Sequence, residues 1–223
     1  MSIAENLKNV KQELPENVRL VAISKTKPDE AILEAYEAGQ KVFGENRVQE
    51  LTQKHEELPK DIKWHMVGHL QSNKVKYIAP FVNLIHGIDK AKLIKEINKQ
   101  AKKHNRVIDV LLQFHIAEEE TKFGFNYEEA EEMMKNPKFK EYENVRICGV
   151  MGMATFTDDE KQIRKEFKQL AQFFHQLKSN YFKDSESFKE ISMGMTNDYK
   201  IAIEEGATLV RIGSLIFGKR NNH

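Results

Sequence analysis

Two groups of residues in this 223-residue chain have types and spacings suited to joint chemistry. The apolar run from Val18 to Ile23 ends abruptly in Ser24-Lys25-Thr26-Lys27-Pro28. An amine placed where a buried segment meets solvent is partly desolvated, which favours the neutral, nucleophilic form that condenses with an aldehyde. Most lysines are solvated surface charges, so Lys25 is singled out by its setting and not by its type. The second group lies far along the chain. Ser192-Met193-Gly194-Met195-Thr196 and Gly213-Ser214 combine glycines with hydroxyls, and a helix is expected to follow Thr196. Free backbone N–H groups in such a place attract phosphate, although the first stretch also reads as a plain turn and helix cap. An aldehyde-capturing amine opposite a seat for phosphate suits pyridoxal phosphate held as a Schiff base.

Other constellations carry less. Gly213 to Lys219 mimics a P-loop, but Arg220 stands where Ser or Thr must bind magnesium, and the three residues after it are too few for the required helix. His65 and His69 are four apart, yet Gly68 and strand-like surroundings oppose a shared helix face, and no HExxH glutamate is present. No metal is assigned. Cys148, within Ile147-Cys148-Gly149-Val150, reads as packing. His115 reads as a core residue with a satisfied hydrogen bond in preference to a rim contact. Met151, Met153, Met193 and Met195 read as gap fillers, and Glu128, Glu129, Glu131 and Glu132 as a solvated helix face. Lys27 either assists release of a ligand or is a solvated lysine.

These residues need a scaffold, and the composition allows one: 40% of the chain is apolar, enough for a sizeable core. Lys+Arg 35 against Asp+Glu 34 leaves a formal charge of +1, so no global field argues for nucleic acid or an anionic membrane. One cysteine cannot make an internal disulfide, and Met1-Ser2-Ile3-Ala4-Glu5-Asn6 lacks the basic and apolar regions of a secretory signal. A reducing cytoplasm is expected. No apolar stretch approaches the ~18 residues of a membrane span.

Ile3, Leu7, Val10 and Leu14 share one helical stripe, ended by Pro15. Short Val- and Ile-rich runs then alternate with charged stretches of helical period. Eight strands are predicted: Val18 to Ser24, Lys41 to Gly44, Ile62 to Gly68, Val82 to His86, Val107 to Ile116, Val145 to Met151, Phe188 to Met193 and Thr208 to Ile212. Helices are predicted over Asp29 to Ala38, Arg47 to Leu58, Ala91 to His104 and Tyr127 to Met134, then a long one carrying Ile163, Phe167, Leu170, Phe174 and Leu177. A last helix takes Thr196 or Asn197 as N-cap and Gly206 as its stop, and Lys74 to Pro80 has no clear pattern. Strict alternation implies parallel strands and an α/β fold. Eight units after an extra N-terminal helix favour a closed (β/α)8 TIM barrel over an open doubly wound sheet, with residues 1–223 as a single domain. Barrels bind phosphate at the loops after strands seven and eight, where Ser192 to Thr196 and Gly213-Ser214 fall.

At these residues the sequence resembles the pyridoxal phosphate homeostasis proteins, the YggS/PROSC-like family, over nearly the whole chain. The motifs are Val21 to Pro28, Phe43-Gly44-Glu45-Asn46-Arg47-Val48-Gln49-Glu50, Trp64 to Lys74, Ser192 to Asp198, and Val210 to Ser214. The resemblance implies a barrel like the N-terminal domain of alanine racemase, with Lys25 carrying the cofactor as a covalent aldimine. It implies that Arg211 faces the pyridine nitrogen, that Ser192, Thr196, Gly213 and Ser214 surround the phosphate, and that Asn46 belongs to the cofactor-binding set. Thr196 stands where the family usually has serine, and Ser214 where it often has threonine; both keep the hydroxyl. Racemases with an arginine at the ring nitrogen rely on a tyrosine from a C-terminal β-domain, for which this chain has no residues left. The implied function is a monomeric, non-catalytic carrier in vitamin B6 homeostasis that hands cofactor to pyridoxal phosphate-dependent apoenzymes. A pyridoxal phosphate-dependent amino-acid racemase is the alternative, and a barrel binding a sugar phosphate is a third.

Overall fold

The computed structural model describes residues 1–119 and 123–218. Eight parallel strands close into a barrel in sequence order, β1 pairing with both β2 and β8. The strands are β1 Arg19–Ile23, β2 Val42–Glu45, β3 Lys63–Met66, β4 Leu84–Ile88, β5 Ile108–Gln113, β6 Val145–Met151, β7 Glu190–Ser192 and β8 Leu209–Ile212. The helices are α1 Ile3–Gln12, α2 Asp29–Glu37, α3 Val48–Glu57, α4 Val75–Ile78, α5 Ala91–Lys103, α6 Tyr127–Lys135, α7 Glu160–Tyr181, α8 Tyr199–Glu204 and α9 Ser214–Phe217. The predicted closed barrel and N-terminal helix are both present.

Local chemistry explains the helix ends. Ser2 and Glu5 form a capping box at the start of α1, and Asn126 and Glu129 form another at α6. Asp159 accepts from two backbone N–H groups to open α7, the longest helix. The stripe on α7 predicted from Ile163 to Leu177 is buried against the barrel wall.

Strand alternation divides the apolar residues into two clusters. Val21, Val67, Leu84, Leu111, Cys148, Met151 and Leu209 fill the barrel interior, while Leu20, Ala22, Phe43, Trp64 and Met66 join the larger layer beneath the helices. A register shift in the β5–β6 pairing, between Val110 and Leu111, is accommodated at Gly149. There φ is +151°, and a Cβ would stand 1.9 Å from the Glu190 carbonyl oxygen.

Several predicted bounds move. The fifth strand stops at Gln113, short of Ile116, because Phe114 and its neighbours pair instead with Phe125. The last predicted helix begins at Tyr199, with Asp198 at the N-cap in place of Thr196 or Asn197, because Asp198 Oδ1 accepts from the Met195 N–H and folds the preceding residues into a turn. The patternless stretch from Lys74 to Pro80 holds the short α4, directly after a 3₁₀ turn at Ser72–Lys74. An unpredicted turn of helix, α9, follows Gly213. Lys219 and Arg220 of the P-loop mimic lie outside the described residues.

Candidate functional site

Five of the seven residues predicted to act together converge at the rim formed by the C-terminal ends of the strands. Val21 and Ile23 face the barrel interior, and the period of two carries Lys25 to the same side, where it lines a cavity of about 770 Å³. Thr196, Arg211, Gly213 and Ser214 line the same cavity. Ser214 donates its hydroxyl hydrogen to Thr196 Oγ1 at 3.1 Å, so the loops after β7 and β8 meet through two hydroxyls. Gly213 crosses the end of β1 so closely that a Cβ there would lie 2.9 Å from the Ile23 carbonyl oxygen. Bare backbone on that side leaves room for a bulky anion between the loops.

Arg211 forms part of the cavity floor. Only 4% of it is exposed; Nη1 donates to Ser192 Oγ at 2.6 Å and Nη2 to the Gly152 carbonyl at 3.2 Å. Burial pulls its pKa down to about 10, against the opposing pull of Asp198. Below it runs a buried chain of hydrogen bonds: Ser192 Oγ to His86 Nδ1 at 2.8 Å, and His86 Nε2 to His65 Nδ1 at 2.9 Å. Burial drives both imidazoles toward the neutral form, His65 to about 3 and His86 well below its usual value. The polarity of the chain follows from donor chemistry. Arginine can only donate, so Ser192 Oγ accepts from Arg211; with the Ser192 O–H turned to His86 Nδ1, neutral His86 donates from Nε2–H to His65 Nδ1.

Two predicted site residues stand elsewhere. Ser192 is the last residue of β7 and is fully buried under Arg211; it does not line the cavity, and its hydroxyl is committed to Arg211 and His86. Thr196 and Ser214, one loop further out, line the cavity instead. Asn46 lines a neighbouring cleft of about 640 Å³ with Arg47, His69, Lys74 and Tyr77. Lys27 lines the first cavity and also donates to the carbonyls of Phe217 at 2.9 Å and Gly218 at 3.2 Å, which closes the C-terminal end of α9.

The remaining candidates are accounted for locally. His65 lies inside the barrel, whereas His69 stacks on Phe123 with centroids 3.9 Å apart and meets Asp89 at 3.2 Å. The Cys148 thiol is buried and pushed up to about 12, which suppresses the thiolate. His115 lies past the end of β5 and is half-buried, at the rim and not in the core expected of it, although its Nε2 does find a partner 2.8 Å away in the Glu119 carbonyl oxygen.

The sequence reading missed a polar group behind Lys25. Lys54 of α3 is buried and donates to the Ser24 carbonyl at 2.8 Å, to Glu45 Oε1 at 2.8 Å and to Glu50 Oε1 at 2.7 Å. Its only signal in the sequence was the i,i+4 spacing from Glu50, which also describes an ordinary surface ion pair.

Residues 1–221 match the family of the alanine racemase N-terminal domain. A pyridoxal phosphate homeostasis protein of Aquifex aeolicus is 42% identical over 203 residues, covering 91% of this chain and 87% of the relative. One of Escherichia coli K12 is 34% identical over 233 residues, covering 98% and 97%. Among solved structures, PipY of Synechococcus elongatus with pyridoxal phosphate bound is 34% identical, with a TM-score of 0.87 over 97% of this chain and all of the other. An alanine racemase of Clostridium difficile superposes with a TM-score of 0.72 at 14% identity, covering 99% of this chain and 56% of that one, a likeness of fold alone. No described helix is long and apolar enough to cross a membrane.

Proposed function

This chain belongs to the alanine racemase N-terminal domain family, and on that footing we propose that it binds pyridoxal 5'-phosphate through Lys25 and serves intracellular vitamin B6 homeostasis without turning over amino acids. The observation that carries this reading is the convergence of Lys25, Arg211 and the Thr196–Ser214 hydroxyl pair on one cavity. When bound, the cofactor supplies an electrophilic aldehyde carbon. Lys25 would hold it as a Schiff base, and Thr196, Gly213 and Ser214 would receive the phosphate. Arg211 would meet the ring nitrogen. In this reading Ser192 acts from beneath, by orienting Arg211, and Asn46 borders the neighbouring cleft. Residues 1–223 act as one cofactor-binding domain, monomeric and cytoplasmic, and cofactor-dependent apoenzymes are its recipients.

Arg211 also argues against strong catalysis. A guanidinium donates a hydrogen bond but does not give up its proton, so the facing nitrogen stays unprotonated and the ring is a weak electron sink. Among the described residues the cavity is lined by Lys27, Glu119, Asp158, Glu160 and Asp198 but by no tyrosine, histidine or cysteine.

The test combines spectroscopy with trapping. Wild-type protein mixed with pyridoxal phosphate should develop Schiff-base absorbance, and borohydride should fix the cofactor on the peptide carrying Lys25. Lys25→Ala should abolish both. Reduction onto a different lysine would refute the assignment. Washout of α-deuterium from labelled alanine or serine, at a rate far above that of free cofactor, would establish the racemase reading instead.

A further inference from the structure

The backbone around Lys25 is held in an uncommon way. The Lys27 N–H donates to the Ser24 carbonyl at 3.0 Å, which closes a tight turn with Lys25 and Thr26 at its centre. Thr26 has φ +64°, the left-handed conformation that the third position of a type II turn requires and that a β-branched residue resists. Both peptide units flanking the Lys25 Cα are anchored to the buried group on α3. On one side the Ser24 carbonyl accepts from Lys54, and on the other the Thr26 N–H donates to Glu50 Oε1 at 2.6 Å. Ser24 Oγ adds a bond to Glu45 Oε1 at 2.5 Å. Because peptide units are planar, fixing the two around one Cα fixes that residue's φ and ψ.

The Ser24 hydroxyl bonds to Glu45, whose carboxylate meets Lys54 of α3 between strand and helix, while Lys25 lines the cavity. The group therefore grips the turn from the side opposite the cofactor. Lys54 joins its parts, since all three ammonium donors are used, one on the turn and one on each carboxylate. That saturation also unsuits Lys54 to a nucleophilic role. Burial of the Glu45 carboxyl raises its pKa, Lys54 and Ser24 draw it back down, and the group persists despite the cost of desolvating its charges.

We infer that Lys54 is a positioning residue for Lys25: bridging Glu45 and Glu50, it holds the strained Ser24–Lys27 turn that presents the Lys25 amine to the cofactor aldehyde. The inference rests on the Lys25 reading above. Condensation replaces the aldehyde C=O by C=N and releases one water, so its rate depends on how often the amine is correctly aimed.

A double-mutant cycle with pyridoxal phosphate as probe tests this. Lys54→Met should slow borohydride-trappable adduct formation at Lys25 at least tenfold, while cofactor affinity measured by equilibrium dialysis in a Lys25→Ala background should be the same with and without Lys54→Met. Glu50→Ala, at a half-buried position, should slow trapping severalfold by freeing the Thr26 N–H and one Lys54 donor. Trapping rates within twofold of wild type for both variants would overturn the inference. So would an equal loss of affinity on adding Lys54→Met with or without Lys25, since that pattern marks general damage. If Lys54→Met fails to fold, Glu50→Ala decides alone. Absence of any Lys25 adduct on wild type would refute the cofactor-linkage reading itself, an outcome separate from a normal adduct on every variant.

Discussion

Inside the barrel, two neutral histidines beneath an arginine create a pH dependence whose sign is fixed. Both folded pKa values lie below the ordinary one, His65 at about 3, so the unfolded chain takes up protons first. Their contribution to stability is complete above the unfolded value of about 6.5 and drains away as pH falls toward the folded values. Each histidine can remove up to ~1.4 kcal/mol per pH unit in that window. Denaturant unfolding of the wild type should therefore weaken steeply between pH 6.5 and 4.5, and His65→Gln should flatten the slope by roughly one proton's worth. An unchanged slope would mean that His65 is not neutral when folded. Residue chemistry was unevenly legible at this scale. Lys25 announced itself because a lysine directly after an apolar strand is anomalous, whereas Lys54 did not: on an amphipathic helix, a lysine four residues after a glutamate looks solvated until its burial is seen. The roles of Ser192 and Asn46 depend on how far along a strand the barrel floor lies, which sequence pattern does not encode.

Elements at the two ends of the described chain together support the side of the cavity where Thr196 meets Ser214. The first helix packs on α9, whose first residue is Ser214, and Asn6 Nδ2 donates to the Ile216 carbonyl at 3.1 Å. Leu7 on α1 is fully buried, so Leu7→Ala should cost about 2–5 kcal/mol of unfolding free energy. Lys27 holds the other end of the same short helix, and Lys27→Met should cost about 1 kcal/mol by releasing the Phe217 and Gly218 carbonyls. Chemical denaturation checks both, and a loss below 1 kcal/mol for Leu7→Ala would show that α1 is not part of the core. The existence and order of the strands could be read directly, their ends less so: among the strands only β6 coincides with its predicted span, because a turn precedes Val145 and Gly152 follows Met151. The predictions fail where a distant partner intervenes. Phe125 takes over the pairing at Phe114, and α9 is too short to show a period of its own.

At the scale of the whole molecule, closure runs through one short strand, whose segment bonds to that of β8 from the Thr208 N–H to the Ile191 carbonyl, the Met193 N–H to the Leu209 carbonyl and the Arg211 N–H to the Gly194 carbonyl. Strand β7 has three residues and a single register pair with β8, Ser192 with Leu209, yet both strands supply the layer around Arg211. Its longer register is with β6, through Gly149, Val150 and Met151. Eight alternating units made the closed barrel readable from sequence, because parallel strands joined by short crossovers have few ways to cover both faces. What could not be read is that closure at β6–β7 needs a residue without a side chain. A Cβ at position 149 would collide with backbone of β7, which cannot yield without breaking the ladder, and φ of +151° is strained for any L side chain. Gly149→Ala should therefore destabilise by more than ~4 kcal/mol, at the upper end of single-substitution effects, or prevent folding. Protein that does fold should show faster amide exchange in β7 and weakened pyridoxal phosphate binding, because the damage reaches Arg211 through Ser192. Hydrogen exchange at Glu190 to Ser192, compared with a remote strand such as β4, is the measurement. Equal protection in both strands, with stability near wild type, would show that the β6–β7 contact tolerates a side chain and that the site does not depend on how the barrel closes there.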